Sequence, residues 1–182
     1  MIDLRNKPTI YGEKVLLRPF LIENDFPYIE ECLQDPEVIT LTGSTPGYNK
    51  KEVWEWYDTR NDQEDRLDLA IVDKSTNTFV GEVVANLYDK ANHSMNFRIM
   101  IGPRGRNRGL GSEATKLMVS YLFENTNLNQ LTLSVFAFNP RAKTVYEKVG
   151  FFVDSIDRNE LEYEGEWIDS INMKLTRELW QK

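Results

Sequence analysis

The sequence predicts a single α/β (α+β) domain across residues 1–182, and three observations carry that expectation. Two β-forming runs, 67–72 and 78–88, flank a breaker-rich turn at 74–77, the pattern of an antiparallel hairpin. Between 94 and 149 strand and helix patterns alternate, as a strand–helix–strand unit requires. A chain of 182 residues also fills one domain with a substantial core and would crowd two.

Taken in order, the first strand is expected over 14–20, where Val15, Leu16, Leu17 and Phe20 bracket Arg18-Pro19. Helical patterns follow at 24–33 and 50–61, the second bringing Val53, Trp54 and Tyr57 to one face. Between them, Thr42-Gly43-Ser44-Thr45-Pro46-Gly47 is a loop by its breakers. After the hairpin, a strand over 94–101 runs into a glycine-rich segment. Residues 112–124 then form a helix whose Ala114, Leu117, Met118, Tyr121 and Leu122 share a core-facing side. Residues 131–138 are strongly β-forming. Pro140 opens a short helix that runs to Val149 and Gly150 ends it, since proline is tolerated in a first turn and glycine is favoured past a last one. A closing pair of strands, 151–161 and 166–175, turns at Tyr163-Glu164-Gly165.

Composition narrows the function. Nine phenylalanines, eight tyrosines and four tryptophans argue against disorder. A net charge of −7 disfavours a nucleic-acid binder, which wants a basic face, and suits either a cationic partner or plain solubility. Cys32 is the only cysteine and His93 the only histidine, so neither an intramolecular disulfide nor a cysteine- or histidine-rich metal site is expected. No stretch has the length of a membrane span and residues 1–7 do not resemble a signal peptide, so a soluble, cytoplasmic protein is expected.

The most informative segment is Pro103-Arg104-Gly105-Arg106-Asn107-Arg108-Gly109-Leu110-Gly111, set between strand and helix. Small residues let backbone N–H groups turn inward, the helix N-terminus near Leu110 adds partial positive charge, and three arginines add full charges. Such a loop is an anion cradle suited to phosphates. It is neither G-x-x-x-x-G-K-[ST] nor G-x-G-x-x-G.

A second motif lies on the next strand–helix unit: Asn139-Pro140-Arg141-Ala142-Lys143-Thr144-Val145-Tyr146-Glu147-Lys148-Val149-Gly150-Phe151. Together with Arg106-x-x-Gly109-x-Gly111, in this order, it resembles the GNAT acetyltransferases. That family holds the pyrophosphate of acetyl-coenzyme A on an R/Q-x-x-G-x-G/A loop and carries N-x-x-[S/A]-x-x-x-Y-E-K-x-G-F on the later helix. Leu17-Arg18-Pro19, Asp35-Pro36-Glu37-Val38 and the stretch from Arg158 to Met173 also look like the RimJ/RimL branch, named for Nα-acetylation of ribosomal proteins. The resemblance spans nearly the whole chain. It implies a mixed, mostly antiparallel central sheet flanked by helices, acetyl-CoA as co-substrate without a metal, and an amine acceptor. That acceptor is a protein N-terminus, a polyamine or another small amine, with no role for nucleic acid or membrane.

The resemblance also implies roles. Arg106, Asn107, Arg108, Gly109, Leu110 and Gly111 hold the pyrophosphate, and Met100 and Ile101 meet the pantetheine arm through their backbones. Ser112 offers a hydroxyl from the first helical turn. Asn139 contacts the coenzyme, although Asn before Pro140 is also a good helix cap, and both roles can hold at once. Tyr146 is the general acid for the departing thiolate, or else a buried core tyrosine. Many family members carry a glutamate on the strand before the loop; here that position falls on Asn96, which cannot accept a proton at neutral pH. Glu82 is the alternative base, acting directly or through water, or else an exposed strand residue. His93 is expected at a hairpin tip and Cys32 as core filler in an acidic helical setting.

Trp54, Trp56 and Tyr57, with Glu52, Glu55 and Asp58, either make an aromatic and acidic surface for a cationic amine or pack inward with the acids solvated. Leu179-Trp180 offers apolar groups for a homodimer contact or for docking on its own chain. A competing class is a non-catalytic acyl-CoA sensor on the same fold.

Overall fold

A computed structural model describes residues 2–182; Met1, the start of the segment compared with a signal peptide, lies outside them. Side-chain alternation along the strands sets the layers. In β3 (Leu67–Asp73), β4 (Thr78–Asp89) and β5 (Ser94–Ile101), the residues Leu67, Leu69, Ile71, Val83, Ala85, Met95 and Phe97 join one buried cluster. That cluster is closed by Leu110, Ala114, Met118 and Leu122 of the long helix Leu110–Asn125. On the opposite face, Ala70, Phe79 and Met100 pack with Phe20, Ile29, Cys32 and Tyr57. Each face of the sheet therefore has its own core.

The eight strands lie in one sheet. Flanking the three above are β1 (Ile10–Tyr11), β2 (Val15–Arg18), β6 (Gln130–Phe136), β7 (Phe152–Tyr163) and β8 (Glu166–Thr176), in the spatial order β1-β2-β3-β4-β5-β6-β8-β7. Every pairing is antiparallel except β5 with β6. The expected mixed, mostly antiparallel sheet is what forms. The parallel pairing is short, matching Ser94, Met95 and Asn96 with Gln130, Leu131 and Thr132 and going no further. Beyond those residues the two strands diverge, and the sheet opens into a cleft along its middle.

The helices are α1 (Ile22–Gln34), α2 (Pro36–Thr42), α3 (Lys50–Asp58), α4 (Leu110–Asn125), α5 (Pro140–Val149) and α6 (Arg177–Trp180). Arg18 ties β2 to α1 with two bonds to Asp25, at 2.8 and 2.7 Å, and Asp25 also accepts from the Leu21 N–H at 2.9 Å. No helix is expected from the sequence where α2 stands. Asp35 caps α2 by accepting from the Val38 N–H at 3.0 Å, Pro36 opens it, and Gly43 ends it at φ 66°. At seven residues, with Val38, Ile39, Thr40 and Thr42 inside, α2 is too short and too β-branched to show a helical period. The second predicted helix stops at Asp58, and a 3₁₀ turn, Arg60–Asp62, continues the path. Trp180 stacks on Phe123 of its own chain, ring centroids 5.2 Å apart, so the terminal tryptophan serves the docking role.

Candidate active site

The cleft between β5 and β6 is a cavity of about 750 Å³. Phe97 to Ile101 of β5 form one wall, and Ser134, Val135 and Phe136 of β6 the other. The loop before α4, the start of α5, and α1 to α3 close it. Because β6 leaves β5 after Asn96, the β5 edge from Phe97 to Ile101 has no strand partner on the cleft side. An extended ligand bearing amides finds free backbone groups there.

At one end lies the loop. Asn107 at φ 62° and Gly109 at φ 75° curl the chain into α4, and no side chain caps the helix. The first internal bond runs from the Glu113 N–H to the Gly109 carbonyl at 3.2 Å, leaving the N–H groups of the first turn to an outside acceptor. Gly105, Asn107, Gly109, Leu110, Gly111 and Ser112 all line the cavity. An uncapped helix start of this kind fits a diphosphate, so the residues present suit coenzyme A.

The arginines behave differently from the expectation of three free charges. Arg106 lines the cavity, but its guanidinium is taken up by Asp35 and Glu37 around the start of α2. Arg108 turns away to Asp73 at 2.5 Å and is not part of the wall, so only its backbone remains for a phosphate. Arg104 pairs with Glu31 at 3.1 Å. At the loop end the positive character comes mainly from backbone dipoles, because nearby carboxylates neutralise these three side chains. Arg141, which sequence reading passed over, donates to Asn107 Oδ1 at 3.0 Å and to Glu37 at 2.8 Å, tying α5 to the loop and to α2.

Asn139 accepts from the Ala142 N–H at 3.3 Å and also lines the cavity, so capping leaves its Nδ2 available as a donor. Tyr146 lies at the cavity wall yet is buried, held edge-on between Phe97 and Phe151 at centroid distances of 6.3 and 6.0 Å. Burial alone pushes its phenol up to about 12.

Glu82, the alternative base position, lies inside the cavity. It pairs across the sheet with Met100, and its side chain enters the cavity from the α1–α3 face. It is 7% exposed, which removes the reading of an exposed strand glutamate. Tyr57 donates to Oε1 at 3.1 Å, while Oε2 is buried with no partner. Burial raises the carboxyl to about 6, against the pull of nearby Arg98. Gly81 beside it must be glycine, since a Cβ there would stand 2.1 Å from the Met100 carbonyl oxygen. Asn96 bonds to Asn86 at 3.2 Å and does not line the cavity, so no carboxylate is missing there.

Other expectations divide. Trp56 and Tyr57 line the cavity, but Trp54 packs on Phe26 at 4.9 Å, and Glu52, Glu55 and Asp58 lie exposed off the wall. His93 is exposed in the β4–β5 turn at φ 49°. Cys32 is buried, and burial with nearby acids pushes its thiol up to about 12, so it is packing and no nucleophile.

A sheet parted between two parallel strands, with an uncapped helix start at one end and Glu82 and Tyr146 in the wall, makes a cleft suited to an extended, phosphate-bearing ligand. Residues 14–152 match the acetyltransferase (GNAT) domain model, and the chain belongs to that family as an N-acetyltransferase. Among curated relatives, the spermidine N(1)-acetyltransferase of Escherichia coli K12 is 29% identical over 163 residues, covering 89% of this chain and 86% of its own. An N-acetyltransferase 9-like protein of Caenorhabditis briggsae is 26% identical over 163 residues, covering 82% and 80%. In structure, spermidine N-acetyltransferase from Vibrio cholerae, solved with CoA and spermine, superposes with a TM-score of 0.84 at 20% identity. That match covers 94% of this chain and 100% of the other.

Proposed function

We propose that the protein transfers the acetyl group of acetyl-CoA directly to a primary amine, with Glu82 as general base and Tyr146 as general acid. The observation that carries this is Glu82 itself: a buried carboxylate with one oxygen unpartnered, in the wall of the cavity that also holds Tyr146 and the start of α4. A base whose pKa sits near 6 is ionised at neutral pH and still close enough to that pH to accept a proton readily.

Bound acetyl-CoA supplies an activated thioester. The backbone of 105–112 holds its diphosphate, with Arg106 and Asn107 beside it, and Met100, Ile101 and Asn139 align the arm. Glu82 accepts the amine's proton directly or through water, the nitrogen bonds to the acyl carbon, and the carbon–sulfur bond breaks. Tyr146 donates its proton to the departing sulfur. A phenol near 12 is a weak acid, but dry surroundings raise a thiol as well, as Cys32 shows in this same chain. Holding the reactants in line contributes roughly 7–11 kcal/mol of barrier lowering, so no protein nucleophile is needed.

The acceptor is a protein N-terminus, a polyamine or another small amine; the spermidine-acetylating relatives support the amine class. Leu17-Arg18-Pro19, the Asp35–Val38 segment and the closing hairpin support the RimJ/RimL-like placement, and with it a cytoplasmic setting. The test is Tyr146→Phe. Turnover is expected to fall about 10²- to 10⁴-fold while CoA affinity stays within about threefold. A wild-type chain that binds CoA and acetylates nothing would instead support the sensor.

A further inference from the structure

The cavity divides by chemistry. Its cofactor end carries Arg106, Asn107, Arg141 and the α4 start; its α1–α3 side is lined by Leu33, Val38, Leu41, Val53, Trp56 and Tyr57. Among the described residues that line the wall Glu82 is the only carboxylate, against Arg98, Arg106 and Arg141. Arg106 and Arg141 are neutralised by Asp35 and Glu37. Arg98 is exposed and pairs with no acid among the described residues.

Arg98 is placed by register. Glu82 lies opposite Met100 and Val84 opposite Arg98, so Arg98 is the diagonal neighbour of Glu82 on the same face of the sheet. Diagonal positions on adjacent strands are about 7–8 Å apart, within reach of long side chains. The wall thus presents a carboxylate and a guanidinium side by side, under an apolar roof.

We infer that the acceptor is a free amino acid with an apolar side chain, its amine at Glu82 and its carboxylate on Arg98. This rests on the acetyl-transfer reading of the same site. An amine nitrogen and a carboxylate one carbon apart fit a neighbouring acid and base on one sheet face. The apolar side chain lies against Leu33, Val38, Leu41 and Val53. A polycation fits poorly. Its further ammonium groups would lie among aliphatic side chains with no carboxylate to pair them, and burying an unpaired charge is costly. The Trp56 ring offers them nothing either, since Arg60 already sits 3.9 Å from its centroid and Arg66 5.4 Å away. The aromatic and acidic surface expected from α3 has its aromatic part occupied and its acidic part facing solvent.

The test compares L-leucine, leucinamide, 3-methylbutylamine and spermidine by thiol release from acetyl-CoA. Wild type and Arg98→Met are measured on the alkaline plateau of each pH profile, so that a change in Glu82 ionisation cancels. Wild type is expected to favour leucine in kcat/KM. The leucine-to-3-methylbutylamine ratio is expected to fall about ten- to a hundredfold in Arg98→Met, the scale of a lost charge-assisted hydrogen bond. Leucinamide, 3-methylbutylamine or spermidine matching leucine in wild type would overturn the inference, as would a ratio that survives the substitution. Thiol release with none of these amines, CoA still binding, would overturn the amino-acid inference, and silence extending to peptides with free N-termini would overturn the acetyl-transfer reading itself.

Discussion

Glu82 combines a catalytic opportunity with a cost in stability. Tyr57, Arg98, Asp68 and Arg66 face it from α3 and the neighbouring strands, and the net of burial and these charges holds the carboxyl near 6. Its ordinary value is 4.5, so the folded state binds this proton more tightly than the unfolded state. Stability from this group is present in full below about pH 4.5 and is lost as pH rises through about 6. Glu82→Gln removes the buried charge while keeping an oxygen for Tyr57, and at pH 8 it should stabilise the fold by about 2 kcal/mol in a denaturant titration. The same variant should lose most turnover. In wild type, kcat/KM should fall as pH drops below about 6, a limb absent from the residual activity of Glu82→Gln. At this scale the sequence was half legible. Tyr146 and Asn139 sit in a dense local motif, and both lie in the cavity wall. The role proposed for Glu82 depends on a cross-strand register and on burial beneath the flanking helices, which spacing along one strand does not reveal. The arginines of the loop were misjudged as free charges because Asp35, Glu37 and Asp73, which hold them, lie far away in sequence.

The helix α4 shows what one element contributes when its two ends are treated oppositely. Its N-terminus is left open to the cavity, whereas Arg177 closes its C-terminal end. The Arg177 guanidinium donates to the carbonyls of Phe123, Thr126 and Leu128 at 2.6, 2.7 and 2.8 Å and packs over the Phe123 ring at 5.2 Å. A cation there complements the helix dipole and satisfies carbonyls that would otherwise be orphaned. Arg177→Ala should therefore destabilise the protein by about 2–4 kcal/mol, read from thermal or denaturant unfolding, with CoA affinity of the folded fraction preserved. Gly81→Ala acts in β4 beside Glu82. Its Cβ would meet a backbone oxygen of the paired strand, so β4 and β5 must part locally. A loss of about 2 kcal/mol or more is expected, with activity falling further than stability accounts for. Long periodic elements such as α4 and the 67–88 hairpin were readable because pattern and propensity agree there. The α2 helix was not, since its evidence is the cap Asp35-Pro36 and the stop Gly43 rather than a period.

On the scale of the whole molecule, function follows from one interruption. A sheet that is otherwise antiparallel takes a single short parallel pairing, and where that pairing ends the strands part to admit a ligand between two separately built cores. The order of motifs along the chain, through the family they resemble, was enough to foresee a mixed, mostly antiparallel sheet flanked by helices, but not where it parts. The division of the cavity into a coenzyme end and an apolar, single-carboxylate side was not foreseeable, because it depends on which face each strand residue occupies. The most direct measurement is amine-dependent thiol release from acetyl-CoA, followed by mass spectrometry of the product, with CoA binding measured in parallel by calorimetry. Release that requires an amine, leaves the acetyl group on its nitrogen and collapses in Tyr146→Phe and Glu82→Gln is the predicted result. Tight CoA binding with no acetylated amine, or undiminished turnover in both variants, would contradict it.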